Sequence, residues 1–206
     1  MDIFHSLILG VIQGITEFLP ISSSGHLAIL PRIFGWQDQG LVFDVFLHLG
    51  TLLAVLFFFR KTWIRIIKSI FFFKNSEYAF DRKLIILIII AIFPAIVAGA
   101  LLNNLVETKL RAPVFIAINL IFWSIILGIA DWYSRRPQKT IKENSFARAL
   151  IIGLFQMFSL VPGGSRSGLS ISGGFFAGLK REEAVRFSFL ISAPLIFGAG
   201  ILKGLD

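Results

Sequence analysis

Two apolar stretches of this chain carry the same interruptions at a fixed offset of 143 residues, and few folds can absorb them. The first runs Gly10-x-x-Gln13, then Pro20 and Ser22-Ser23-Ser24-Gly25. The second runs Gly153-x-x-Gln156, then Pro162-Gly163-Gly164-Ser165-Arg166-Ser167-Gly168. Gly, Gln, Ser and Gly recur in register, and the same offset carries Phe46-Leu47 onto Phe189-Leu190. Breakers inside apolar sequence free backbone N–H and C=O groups that lipid cannot satisfy, so such a segment turns back instead of crossing. Paired broken segments in corresponding positions predict an inverted-topology repeat whose binding site lies where the broken helices meet.

Composition places the chain in a bilayer. Hydrophobic residues make up 56% and charged residues 16%, against about 25% charged in a soluble domain. Apolar runs at 41–59, 84–102, 113–132 and 185–204 each approach the ~20 residues needed to cross the hydrocarbon core, which predicts four spans. The broken segments 3–34 and 150–179 read as re-entrant helical hairpins. The expected fold is therefore an all-α polytopic membrane protein, one membrane domain over 1–206, with repeat 1 at about 1–132 and repeat 2 from about 146. At the repeat offset, counterparts of spans 84–102 and 113–132 would fall at about 227–275. The second repeat thus reads as lacking its last two helices, in a fragment or in a short form closed by a partner subunit, such as a second copy, or by lipid.

The net charge of +8 does not point to nucleic acid, because the basic residues cluster in segments flanking the apolar runs. Segment 60–83 holds Arg60, Lys61, Arg65, Lys68, Lys74, Arg82 and Lys83, and segment 133–148 holds Arg135, Arg136, Lys139, Lys142 and Arg148. Both are expected to be cytoplasmic loops, with 103–112 outside. The first hairpin then dips in from the outer face and the second from the cytoplasm. There is no Cys and no Walker A, dinucleotide-binding or zinc-protease motif, which removes thiolate, nucleotide-driven and zinc-protease chemistry.

The polar residues that do sit in apolar surroundings are the candidates. Gln13 and Glu17 lie four apart on one helix face. Pro20 ends that helix, and Ser22-Ser23-Ser24-Gly25-His26 opens the next one with hydroxyls suited to capping free amides. A helix N-terminus with unpaired amides is a natural phosphate site. In the second segment Arg166 sits between glycines and hydroxyls, and its guanidinium fork suits bidentate phosphate contact. Arg166 is also a natural partner for Glu17 across the repeat. Asp44 and His48 form another pair four apart, which reads equally as a support for the site, a proton path or an interfacial polar patch. Asn119, Ser124, Ser188 and Ser192 are expected to make interhelical hydrogen bonds, and His5 to be structural.

Gln13-Gly-Ile-Thr-Glu17-Phe-Leu-Pro20-Ile-Ser-Ser-Ser24-Gly25-His26 and Pro162-Gly-Gly-Ser165-Arg166-Ser167-Gly168 resemble the two signature motifs of bacterial undecaprenyl-diphosphate phosphatases of the bacitracin-resistance type. Phe43-Asp44-Val-Phe-Leu-His48-Leu-Gly50-Thr51 resembles the family's third helix. The resemblance implies removal of the terminal phosphate from a C55 lipid diphosphate, regenerating the carrier for peptidoglycan assembly, at a site open to the outer face of the cytoplasmic membrane. It implies Glu17, Ser23, His26 and Arg166 as catalytic residues. Gln13, Ser22, Ser24, Gly163, Gly164, Ser165 and Ser167 would bind the phosphates, and Glu17 would hold a divalent ion such as Mg²⁺. Where the family more often has a second acid, this chain has Gln13, so proton transfer is expected to rest on Glu17 and His26. Ser23 is the expected nucleophile, with His26 as the alternative. The rival function is a transporter or flippase of an anionic polyprenyl lipid, which would use the same binding residues.

Overall fold

The computed structural model describes residues 3–37, 39–109, 112–135, 139–143 and 145–204. Among them the regular elements are helices, with a single isolated bridge between Lys139 and Leu179. In chain order they are α1 (Ile3–Thr16), α2 (Ser23–Ile33), α3 (Gly40–Phe58), α4 (Arg60–Phe71), α5 (Ala79–Lys109), α6 (Pro113–Tyr133), α7 (Phe146–Met157), α8 (Arg166–Phe176) and α9 (Arg181–Gly204). Ser76–Leu101, Pro113–Tyr133 and Arg181–Ile201 are each long and apolar enough to cross a membrane. The protein is all-α and multi-pass.

Three of the four expected spans are single helices. The fourth, 41–59, is the 19-residue α3, which runs into α4 across a bend of 75°. The basic segment 60–83, expected as a loop, is thus largely helix. The run of Arg and Lys that suggested a loop alternates with Ile and Trp at helical spacing. The expected outer loop 103–112 is helical as far as Lys109, and residues 110 and 111 lie outside the described part.

Each broken segment is a helix, a break and a helix. Pro20 lies in the first break, and Ser22 closes it with a left-handed backbone (φ 64°) while its Oγ accepts from Gly25 N at 3.3 Å. In the second, a 3₁₀ turn at Phe158–Leu160 leads into Pro162-Gly163-Gly164, and Ser165 Oγ accepts from Gly168 N at 3.1 Å. Ser22 and Ser165, and Gly25 and Gly168, are the same pairs that the sequence offset relates. The ring of His5 stacks on Trp36 at 4.2 Å, which sets the start of α1 beside the chain leaving α2. Lys139 N donates to Gly178 O at 2.8 Å and Lys180 N to Lys139 O at 2.9 Å, so the chain approaching α7 lies beside the end of α8. The two ends of each broken segment thus lie near one another.

Helix α8 forms the centre. Its residues from Ser167 to Phe175 are all buried, and it packs against α6, α7 and α9. Two backbone approaches depend on missing side chains. A Cβ on Gly153 would stand 2.5 Å from Ala91 O, and one on Gly174 would stand 2.7 Å from Ala184 Cβ. Leu52, Val55, Leu87, Ile152, Phe187, Leu190 and Ile191 fill the space around these contacts. On α6, Ile118, Ile121, Ile125 and Ile129 form one exposed apolar stripe.

Of the four residues expected to bond between helices, Ser188 does so, with Ser170 at 2.6 Å. Ser124 and Ser192 instead donate to Leu120 O and Phe189 O in their own helices, the back-bond a hydroxyl makes when its own turn is closer than a neighbour. Asn119 Nδ2 is buried without a hydrogen-bond partner. The basic ends come together: Lys83 Nζ donates to Lys142 O at 3.0 Å, and Arg181 pairs with Asp131 at 2.7 Å.

Candidate active site

The two breaks touch, and their polar residues converge on Glu17. Its backbone N still donates to Gln13 O at 2.9 Å, so Glu17 continues the helical path just beyond α1 and keeps its side chain on the face of Gln13. Serine 23 is the first residue of α2, brought back to Glu17 by the turn around Pro20. Arg166 is the first residue of α8. The second break is tied to the first by Ser167 Oγ, which donates to Leu19 O at 2.9 Å.

Glu17 is only 5% exposed, a costly place for a carboxylate unless it is fully partnered. Arg166 Nη2 donates to Oε1 at 2.6 Å. Ser23 Oγ and Gln13 Nε2 donate to Oε2 at 2.5 and 3.1 Å. His48 Nε2 stands 3.4 Å from the same oxygen. Among the described residues it is therefore His48 of α3, and not His26, that comes within ion-pair distance of Glu17. His26 remains at the first break, its Nδ1 2.8 Å from Ser22 O. A carbonyl accepts only, so that nitrogen carries the proton and Nε2 is the basic one in the neutral ring. His48 is fixed the same way, with Nδ1 2.7 Å from Asp44 O. A hydrogen bond between His48 Nε2 and Glu17 then requires one more proton, shared between the two.

Two buried polar atoms at this junction have no hydrogen-bond partner, Arg166 Nη1 and Gln13 Oε1. Leaving such groups unpaired costs roughly 1–3 kcal/mol each, and both lie beside the Glu17 carboxylate through their companion atoms. Arg166 Nη1 is a charged donor waiting for an acceptor. Gln13 Oε1 and Glu17 together offer two hard oxygens that suit a divalent ion whose remaining ligands are water and phosphate. Among the described residues there is no group of three or more His, Cys, Asp or Glu that could hold a metal, so any ion here would depend on substrate oxygens.

The remaining predicted residues line the breaks. Ser22, Ser165, Ser167, Gly163 and Gly164 are buried and Ser24 is exposed. Ser22 Oγ and Ser24 Oγ are 3.4 Å apart, and Ser165 Oγ and Ser167 Oγ 3.2 Å apart. Gly163 has φ 91°, and a Cβ there would meet Ile116 O at 2.6 Å, so the tight turn needs glycine for both backbone and space. Sequence reasoning left His48 undecided. The signal was its apolar helix and its distance of one turn from Asp44, and only the packing of α3 on α1 shows that it faces Glu17.

Residues 6–206 match the model of the family described as "Bacitracin resistance protein BacA". The chain is similar over its whole length to curated proteins named undecaprenyl-diphosphatase. It is 44% identical over 207 residues to that of Trichlorobacter lovleyi and 47% identical over 207 residues to that of Pelotomaculum thermopropionicum, covering 76% of each. It is 42% identical over 205 residues to that of Desulforudis audaxviator, covering 77% of it.

Proposed function

This chain belongs to the bacitracin resistance protein BacA family, and on that premise we propose that it hydrolyses undecaprenyl diphosphate to undecaprenyl phosphate and inorganic phosphate, recycling a lipid carrier of cell-wall synthesis and conferring bacitracin resistance. The observation that carries the chemical reading is the Ser23, Glu17 and Arg166 cluster at the meeting of two helix N-termini, with Arg166 Nη1 buried and unpartnered. A hydroxyl needs an adjacent base to become a nucleophile, and Ser23 already donates to a carboxylate.

In this reading Ser23 Oγ attacks the terminal phosphorus while Glu17 takes its proton, with His48 within reach of the same carboxylate. The bond from phosphorus to the bridging oxygen breaks, and undecaprenyl phosphate leaves. Water then attacks the phosphoserine, inorganic phosphate departs, and the proton held at Glu17 returns to Ser23. His26, whose Nε2 is the basic nitrogen, is the alternative nucleophile: its lone pair attacks phosphorus without giving up a proton, the same bond to the bridging oxygen breaks, and water then displaces Nε2 to release inorganic phosphate. Arg166 Nη1, the Ser165 hydroxyl and the amide at Gly163 bind the phosphoryl oxygens and stabilise charge in the in-line transition state, whereas the Gly164 amide and the Ser167 hydroxyl, expected as phosphate donors, are committed to Val161 O at 2.9 Å and Leu19 O at 2.9 Å. Ser22, Ser24 and Gln13 hold the second phosphate. When bound, a divalent ion such as Mg²⁺ at Glu17 and Gln13 would neutralise phosphate charge.

We place the protein in the bacterial cytoplasmic membrane as an inverted repeat with opposed hairpins, the site opening to the outer face. The clustering of the basic ends at one side supports that orientation. Purified protein in detergent, where no two sides exist, tests the reading against lipid transport. Release of inorganic phosphate from the C55 diphosphate supports hydrolysis, and its absence with and without chelator contradicts it.

A further inference from the structure

Helix α4 has three faces, each a row at helical spacing. Ile66 and Ser69 are buried against the protein. Ile64, Ile67 and Phe71 form a second row, and Ile70 flanks it; Phe71 is 79% exposed, and Phe73, just past the helix, 72%. Lys61, Arg65 and Lys68 form the third row, also exposed. An apolar and a basic row side by side along one short helix, bent by 75° from a membrane-length helix, is the pattern of a helix lying in the plane of a membrane interface. Its position is fixed at the polar edge. Arg65 grips the buried Asp81 at the start of α5 through Nη2 at 2.9 Å and Nε at 3.3 Å, and also reaches Glu77. Arg65 is thereby committed to the protein, while Lys61 and Lys68 flank it on the same row. Beyond the helix, Arg82 covers the Phe73 ring at 5.2 Å, which holds that aromatic at the end of the exposed apolar row.

We propose that α4 is a binding surface for acidic lipid headgroups: Ile64, Ile67, Ile70 and Phe71 enter the acyl boundary while Lys61 and Lys68 contact the phosphates of anionic lipids. The charge complementarity is one-sided, because the exposed row of α4 contains no acid. A neighbouring protein or a second copy would bury both rows, whereas a lipid surface buries the apolar row and leaves the basic one wet.

The Cys-free chain allows single spin labels at Ile64→Cys, Ile67→Cys, Lys61→Cys and Lys68→Cys in vesicles of phosphatidylglycerol and phosphatidylcholine. Labels at 64 and 67 should relax with oxygen, and those at 61 and 68 with a water-soluble nickel chelate. Labels at 64 and 67 that respond to nickel more than oxygen, or to neither, overturn the proposal. In detergent, wild-type protein should retain phosphatidylglycerol over phosphatidylcholine, a preference that fades with salt. In K61Q/K68Q it should fall by roughly tenfold. An unchanged preference in a double variant with wild-type thermal stability removes the headgroup role.

Discussion

Replacing Arg166 by Lys keeps one positive charge beside Glu17 and removes the fork that contacts Glu17 through Nη2 while presenting Nη1 to the substrate. Hydrolysis in Arg166→Lys should fall by roughly 10²-fold or more, measured as kcat on the C55 diphosphate, and near-wild-type turnover would remove Nη1 from the mechanism. His48 makes a sharper test of proton transfer. His48→Gln can still donate to Glu17 but cannot take up a proton, so kcat should drop by about 10²-fold. An unchanged kcat would make His48 a packing residue. Glu17, Ser23 and Arg166 were legible in the sequence because each is a polar residue in a run where lipid tolerates none without a purpose. His48 was not, since a histidine one turn from an aspartate near a helix end is equally an interfacial pair. What singles it out is the packing of α3 against α1, a contact between distant segments that no local pattern encodes.

The elements depend on close backbone approach as much as on apolar pattern. Gly153→Ala would put a Cβ 2.5 Å from Ala91 O, forcing α7 and α5 apart at a cost of about 1–3 kcal/mol. Gly14→Ala, where nothing lies within 4 Å, should leave stability unchanged or slightly raised. Thermal unfolding of the two variants in detergent should separate them clearly, and equal midpoints would contradict the packing described between α5 and α7. Both broken helices could be read from Pro, Gly and Ser within apolar sequence, and so could the spans α5, α6 and α9. Helix α4 was missed because its basic residues marked a loop by the logic of membrane topology. The row formed by Ile64, Ile67 and Phe71 was present in the same segment, and its spacing carried the helix.

At the scale of the molecule, the orientation proposed above has the hairpins meeting inside the membrane from opposite faces. Single cysteines at Gln37, Lys74 and Lys139, all exposed, report this directly in intact cells. Gln37→Cys should react with an impermeant maleimide from outside, and Lys74→Cys and Lys139→Cys only after permeabilisation. Outside labelling at Lys74 would reverse the orientation and close the site to the outer leaflet. The measurement that tests the account most directly is inorganic phosphate released from undecaprenyl diphosphate in detergent by wild-type, Gln13→Glu and Glu17→Gln protein of matched thermal stability. Wild-type and Gln13→Glu should both turn over and Glu17→Gln should not, because it removes the carboxylate that Ser23, His48 and Arg166 all address. Wild-type turnover retained in Glu17→Gln would contradict the account.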